Sequence, residues 1–271
     1  VTIFVAQHAR RPSVEATAEV VLDDLDSWVT PEAQFVVLPE NVFGDDGSAL
    51  PPRLRERCLE RLTGLARRRG TYVLTGSWTE EHPDGKPVRV TRLLDPGGTL
   101  RAQVERAILP DGTTGTGDDF PVVETEFGHV GVLLGPDFWL VEPPRIECLA
   151  GAELLLVAGS LDGAEQAAQR AAVWGIATLN TVAVAFASSL GDRSGGGSAV
   201  AMPEGFVAEG DTHECVLEAP WDLARVRHLR EPDLRFQQTL WFGLWARRPD
   251  LYAALVDGQE PIARTSKARV S

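Results

Sequence analysis

Apolar residues along this chain fall into short unbroken runs, separated by segments where they recur every three or four positions. The runs at 1–6, 35–38, 71–78, 154–158 and 182–187 predict buried strands. Between the first two, Val14, Ala18, Val21, Leu25 and Trp28 are spaced for one face of an amphipathic helix, with Ser13 placed to cap it. Leu54, Cys58, Leu62 and Leu65 predict a second helix. Arg67, Arg68 and Arg69 suit its C-terminal dipole, and Gly70 can take the left-handed conformation that closes it. Asp95-Pro-Gly-Gly98 predicts a turn between strands at 88–94 and 99–105. Phe127-Gly-His129 joins strands at 121–125 and 130–134. A helix at 164–177, short strands at 198–201, 206–208 and 215–217, and helical stretches at 222–228 and 249–255 complete the pattern. The strand at 130–134 runs into Gly135-Pro136-Asp137, which reads as a tight turn.

Strands alternate with helices at first and hairpins follow, which indicates a mixed α/β domain with two layers of strand. No linker or repeat divides the chain, so a single domain is expected over 1–263, with a polar, flexible tail at 264–271.

Composition narrows the function more than the fold. The 271 residues are 44% hydrophobic and 24% charged, which is ordinary globular usage. No apolar run approaches the roughly 18 residues that span a bilayer. A net charge of −13 argues against nucleic acid or an anionic membrane as partner. Three well-separated cysteines, Cys58, Cys148 and Cys215, suggest a reducing compartment. With no signal-peptide pattern in the first residues, a cytoplasmic location is expected. The five histidines have no metal-ligand spacing, and Gly195-Gly-Gly-Ser198 lacks the strand–loop–Lys context of a phosphate cradle. Neither metal nor cofactor is therefore expected.

Seven segments, in order, carry a resemblance. They are Val36-Val-Leu-Pro-Glu40, Leu93-Leu-Asp-Pro-Gly-Gly98, Gln103-Val-Glu-Arg106-Ala-Ile-Leu109, Gly117-Asp-Asp-Phe-Pro-Val122, Asp137 to Glu153, Gln169 to Asn180, and Arg247-Arg-Pro-Asp-Leu-Tyr252. Together they resemble the nitrilase, or carbon–nitrogen hydrolase, superfamily. The resemblance implies a four-layer α-β-β-α sandwich that pairs through a helical face as a homodimer or higher oligomer. It also implies chemistry on non-peptide carbon–nitrogen bonds, with Glu as base, Lys as transition-state stabiliser and Cys as nucleophile.

Several positions depart from that pattern. Glu40 matches the base, but Arg106 stands in the Lys segment and Gly135 in the Cys position. Arg keeps the charge but does not readily give up a proton. Gly has no side chain with which to form a thioester. Pro136 has no N–H to offer an oxyanion, and losing one such donor typically costs about 2.7–4 kcal/mol. Asp111 is the nearest candidate for a second supporting acid, and Asp137 completes the candidate pocket. Val173 stands where a Glu is usual. Cys58 and Cys215 read as core residues, and Cys148 as a buried or half-buried thiol.

The expectation is therefore a pseudoenzyme for thiol-dependent hydrolysis, whose Glu40–Arg106 pocket binds a small amide or carboxylate. The alternatives are an active amidase, carbamoylase or nitrilase with a non-Cys mechanism, such as water attack driven by Glu40, and a scaffold subunit of a hetero-oligomer.

Overall fold

The computed structural model describes residues 1–44, 47–108, 115–159, 166–191, 195–231, 244 and 247–255. The expected tail at 264–271 and Asp111 lie outside them. Among the described residues, two six-stranded sheets pack face to face, with helices on both outer sides.

The first sheet contains β1 (Thr2–Gln7), β2 (Ala33–Val37), β3 (Tyr72–Glu81), β4 (Pro87–Leu94), β5 (Leu100–Glu105) and β12 (Cys215–Pro220), in the order β12-β1-β2-β3-β4-β5. The second contains β6 (Val122–Thr125), β7 (Gly128–Leu134), β8 (Leu154–Ala158), β9 (Ala183–Ala187), β10 (Ala199–Met202) and β11 (Gly205–Glu209), in the order β11-β10-β9-β8-β7-β6. Strands β1, β2 and β3 are mutually parallel, as are β7, β8 and β9.

These central strands are covered on both faces, which is why they read as continuous apolar runs. In β1, Ile3 and Val5 enter the core between the sheets, while Phe4 and Ala6 pack under helices α1 (Val14–Trp28) and α2 (Pro52–Arg69). Alternate side chains of a strand face opposite ways, so one run serves two layers. On the other side, Leu133, Leu155, Val157 and Phe186 pack with Val173 and Ala177 of α5 (Gln166–Asn180) and Cys148 of α4 (Glu142–Leu149). The layers are therefore α-β-β-α, as the resemblance implies.

Local signals behave as expected at several ends. Ser13 accepts a hydrogen bond from the Ala16 N–H, and Gly70 closes α2 at φ 64°. Asp222 caps α6 (Leu223–Arg230) by accepting from the Arg225 N–H.

Three expectations are corrected. Gly135-Pro136 does not form a tight turn: it opens α3 (Gly135–Phe138), where a proline in the first turn loses no helical hydrogen bond. Cys215 is half-buried rather than core, because it lies on the edge strand β12. The stretch at 249–255 forms two short 3-10 turns, at Pro249–Leu251 and Ala253–Leu255. No helix among the described residues is long and apolar enough to cross a membrane.

Candidate active site

Three segments follow the carboxyl ends of strands from both sheets and converge. Glu40 follows β2, Arg106 follows β5, and Gly135 follows β7. Ligands in open α/β sheets bind at such strand ends.

The Glu40 loop is held by backbone on two sides. Its own N–H donates to the Gly159 carbonyl past β8, at 3.0 Å. The register of β3 breaks between Leu74 and Ser77, and Gly76 at φ 69° lies so close that a Cβ there would strike the Pro39 carbonyl. Buried Ser77 then wraps the loop. Its N–H donates to the Pro39 carbonyl at 3.2 Å, its carbonyl accepts from the Val42 N–H at 3.1 Å, and its hydroxyl accepts from the Asn41 N–H at 3.3 Å. Asn41 takes a left-handed φ of 54°, a conformation that Asn tolerates better than most residues.

Arg106 reaches across to form an ion pair with Glu40 Oε1. Arg89 Nε lies 3.9 Å from the same oxygen. The three side chains are only 5% (Glu40), 11% (Arg106) and 12% (Arg89) exposed, so water screens the attraction little. Arg89 also accepts the Arg106 N–H through its carbonyl, at 3.0 Å. Gly115 and Gly117 pack tightly over this segment. Gly115 and Gly117 donate to the carbonyls of Ala107 and Arg106, and a Cβ at either glycine would overlap backbone. That approach gives the Gly117-Asp-Asp-Phe-Pro motif a structural reason.

Gly135 completes the cluster. A Cβ built on it would fall on Glu40 Oε2, so the carboxylate fills the start of the missing side chain's path. Pro136 is half-buried in the first turn of α3. Asp137 is fully buried and accepts the N–H groups of Ala107 and Ile108 at 3.0 and 2.8 Å. Burial pushes its carboxyl above the usual range, against the pull of those two donors. Of the residues singled out from the sequence, Glu40, Arg106, Gly135, Pro136 and Asp137 are brought together. Arg89 and Ser77 were not anticipated, because their roles depend on strand register rather than on any local motif.

Other reactive candidates sit elsewhere. Cys148 is buried in α4, and burial pushes its thiol up to about 12. Cys58 is buried in α2 and pushed up to about 11 for the same reason. Such thiols are poorly ionised near neutrality. His8 is buried, stacks on Trp28 and is pushed down to about 4 by its burial. Val173 is packed inside the helix-side core.

The family is shown by comparison with known proteins. The carbon–nitrogen hydrolase family model matches residues 5–231, and the chain belongs to that family. The omega-amidase of Xenopus tropicalis is 29% identical over 245 residues, covering 82% of this chain and 85% of that protein. The N-carbamoylputrescine amidase of Solanum tuberosum is 28% identical over 242 residues, covering 78% and 77%. A carbon–nitrogen hydrolase of Helicobacter pylori has the same fold, with a TM-score of 0.80 at 22% identity over 94% of this chain and 98% of its own. A mutant of a nitrilase-superfamily amidase of Nesterenkonia gives a TM-score of 0.76 at 21% identity over 94% of this chain and 97% of its own. These names favour the amidase-type alternative over the pseudoenzyme expectation.

Proposed function

We propose that this protein hydrolyses a small amide or carbamoyl compound by activating water at Glu40, with no covalent intermediate on the protein. One observation carries the reading. Glu40 turns Oε1 to the guanidinium of Arg106 and Oε2 toward the place where a side chain on residue 135 would begin. A carboxylate oxygen there is placed to take a proton from an attacking water. The water oxygen bonds to the carbonyl carbon, and its proton passes to Glu40. The carbonyl oxygen becomes an anion beside Arg106, whose fixed charge stabilises it in a site shielded from water. As the C–N bond breaks, Glu40 returns the proton to the leaving nitrogen. Pro136 supplies no N–H, so this reading rests oxyanion stabilisation on Arg106. The activities of two relatives, omega-amidase and N-carbamoylputrescine amidase, support the amide class.

A second reading, binding without turnover, is favoured by another feature of the same pair. The proton-accepting carboxylate is already paired with Arg106 and sits where an attacking atom would enter. In that case the pocket holds a small amide or carboxylate, the latter through the planar donors of Arg106.

Acid-quenched mass spectrometry of the intact protein, during incubation with a panel of small amides, ureas and carbamoyl amino acids, separates the readings. The water route requires ammonia release with the protein mass unchanged. Thermal stabilisation by the same compounds without ammonia, abolished by Arg106→Ala, supports binding alone.

A further inference from the structure

We infer that Asp137 is a positioning residue for Arg106, fastening the cation's segment to the turn that carries residue 135. Asp137 lies two residues beyond Gly135, in the first turn of α3. Its two carboxylate oxygens each accept one backbone N–H, Oδ2 from Ala107 at 3.0 Å and Oδ1 from Ile108 at 2.8 Å. Those are the two residues that follow Arg106. On the preceding side, the Arg106 N–H is held by the Arg89 carbonyl of β4 at 3.0 Å. The backbone at Arg106 is therefore tied from both directions, once to β4 of its own sheet and once to α3, which follows β7 of the other sheet.

The tie to α3 is made by a side chain that is fully buried. Hydrogen bonds to an ionised acceptor are shorter and about twice as strong as neutral ones, and here two act on consecutive residues. Pro136 sits between Gly135 and Asp137 in the first turn of α3, where its fixed φ is compatible with the helix and its missing N–H costs no helical hydrogen bond. The inference depends on the hydrolytic reading above only for its effect on turnover.

The test uses the isotope-labelled full chain with Asp137→Asn and Asp137→Ala, followed by amide exchange and by the Arg106 side-chain Nε–Hε resonance. Asn offers one acceptor oxygen and turns an NH2 toward the other N–H. Exchange at Ala107 or Ile108 should therefore rise about tenfold or more, as expected for losing a buried charge-assisted bond. The Arg106 resonance should move, while the Val132 amide, held by Glu147 at 2.9 Å in another part of the sheet, keeps its protection. If Asp137→Ala does not fold, the Asn variant carries the test. An unmoved Arg106 resonance with unchanged exchange at both amides would overturn the inference. So would an equal loss of protection at Val132, which would make Asp137 a general determinant of the fold. In any wild-type turnover, Asp137→Asn should lower kcat about tenfold with KM little changed. The resonance and exchange are read without substrate, so a protein that hydrolyses nothing still tests the inference.

Discussion

The carboxylate of Glu40 occupies the space into which a side chain on residue 135 would have to grow. The two positions come from different sheets, and meet where the segments following β2 and β7 converge. The absence of a side chain at Gly135 and the pairing of Glu40 with Arg106 are therefore one arrangement.

Restoring a thiol should not by itself restore thiol chemistry. In Gly135→Cys the new Cβ meets Glu40 Oε2, so Glu40 must leave its pairing with Arg106 or the α3 turn must shift. Forcing atoms into such a packed site costs about 1–3 kcal/mol. The expected result is a lower unfolding midpoint and no gain in ammonia release over wild type. Robust hydrolysis through an acyl-cysteine in this single mutant would show that Pro136 and Arg106 do not obstruct the thiol route.

Removing the cation should be felt in stability as well as in ligand binding. Arg106→Ala leaves Glu40 buried with Arg89 at 3.9 Å as its remaining neighbouring guanidinium among the described residues. Breaking a buried pair typically costs about 3–5 kcal/mol, and Arg89 should hold the loss toward the lower end. Denaturant unfolding of Arg106→Ala and Arg106→Lys would measure it, with Lys retaining part of the stability because it keeps the charge but not the planar fork.

A second buried acid predicts a pH dependence with a defined sign. Glu147 is fully buried in α4; one oxygen accepts the Val132 N–H, and the other has no hydrogen-bond partner among the described residues. Burial raises its carboxyl well above the usual range. Below the unfolded value of about 4.3 both states hold the proton, and the neutral buried acid carries no ionisation penalty. As pH rises above that value the unfolded chain releases its proton first, so the folded state loses stability until the raised folded value is passed. Glu147→Gln keeps an acceptor for Val132 and cannot ionise. Its unfolding midpoint should gain on wild type steadily from about pH 4 toward neutrality. A constant difference between the two across that range would count against a protonated Glu147.

The thiols should rank by burial. Cys58 and Cys148 are buried and strongly raised, whereas Cys215 is half-buried on an edge strand and raised less. Alkylation of the native protein near about pH 8 should label Cys215 first. Peptide mapping that found Cys148 labelled fastest would reopen it as a reactive group.

Much of the fold was legible because local patterns and tertiary environment agree. The run at Leu154–Ala158 reads as a strand covered on both faces, and it lies centrally in the second sheet. The helices at Val14–Trp28 and Pro52–Arg69 carry their caps in the sequence. Legibility failed where a residue's role is set by distant chain. Gly-Pro is a turn signal, yet at Gly135 it opens a helical turn, because a proline within the first helical turn loses no hydrogen bond. Cys215 alternates like a core residue but lies on a strand paired on one side only. Arg89 sits in an ordinary strand sequence, and only the antiparallel pairing of β4 with β5 brings it beside Arg106.

Ammonia release measured side by side for the wild type, Glu40→Gln and the variant with all three cysteines changed to serine tests the central claim most directly. Water attack driven by Glu40 predicts that the cysteine-free protein keeps the wild-type rate, while Glu40→Gln falls by about a hundredfold or more. Equal release by Glu40→Gln and wild type, or loss of activity in the folded cysteine-free protein, would contradict it.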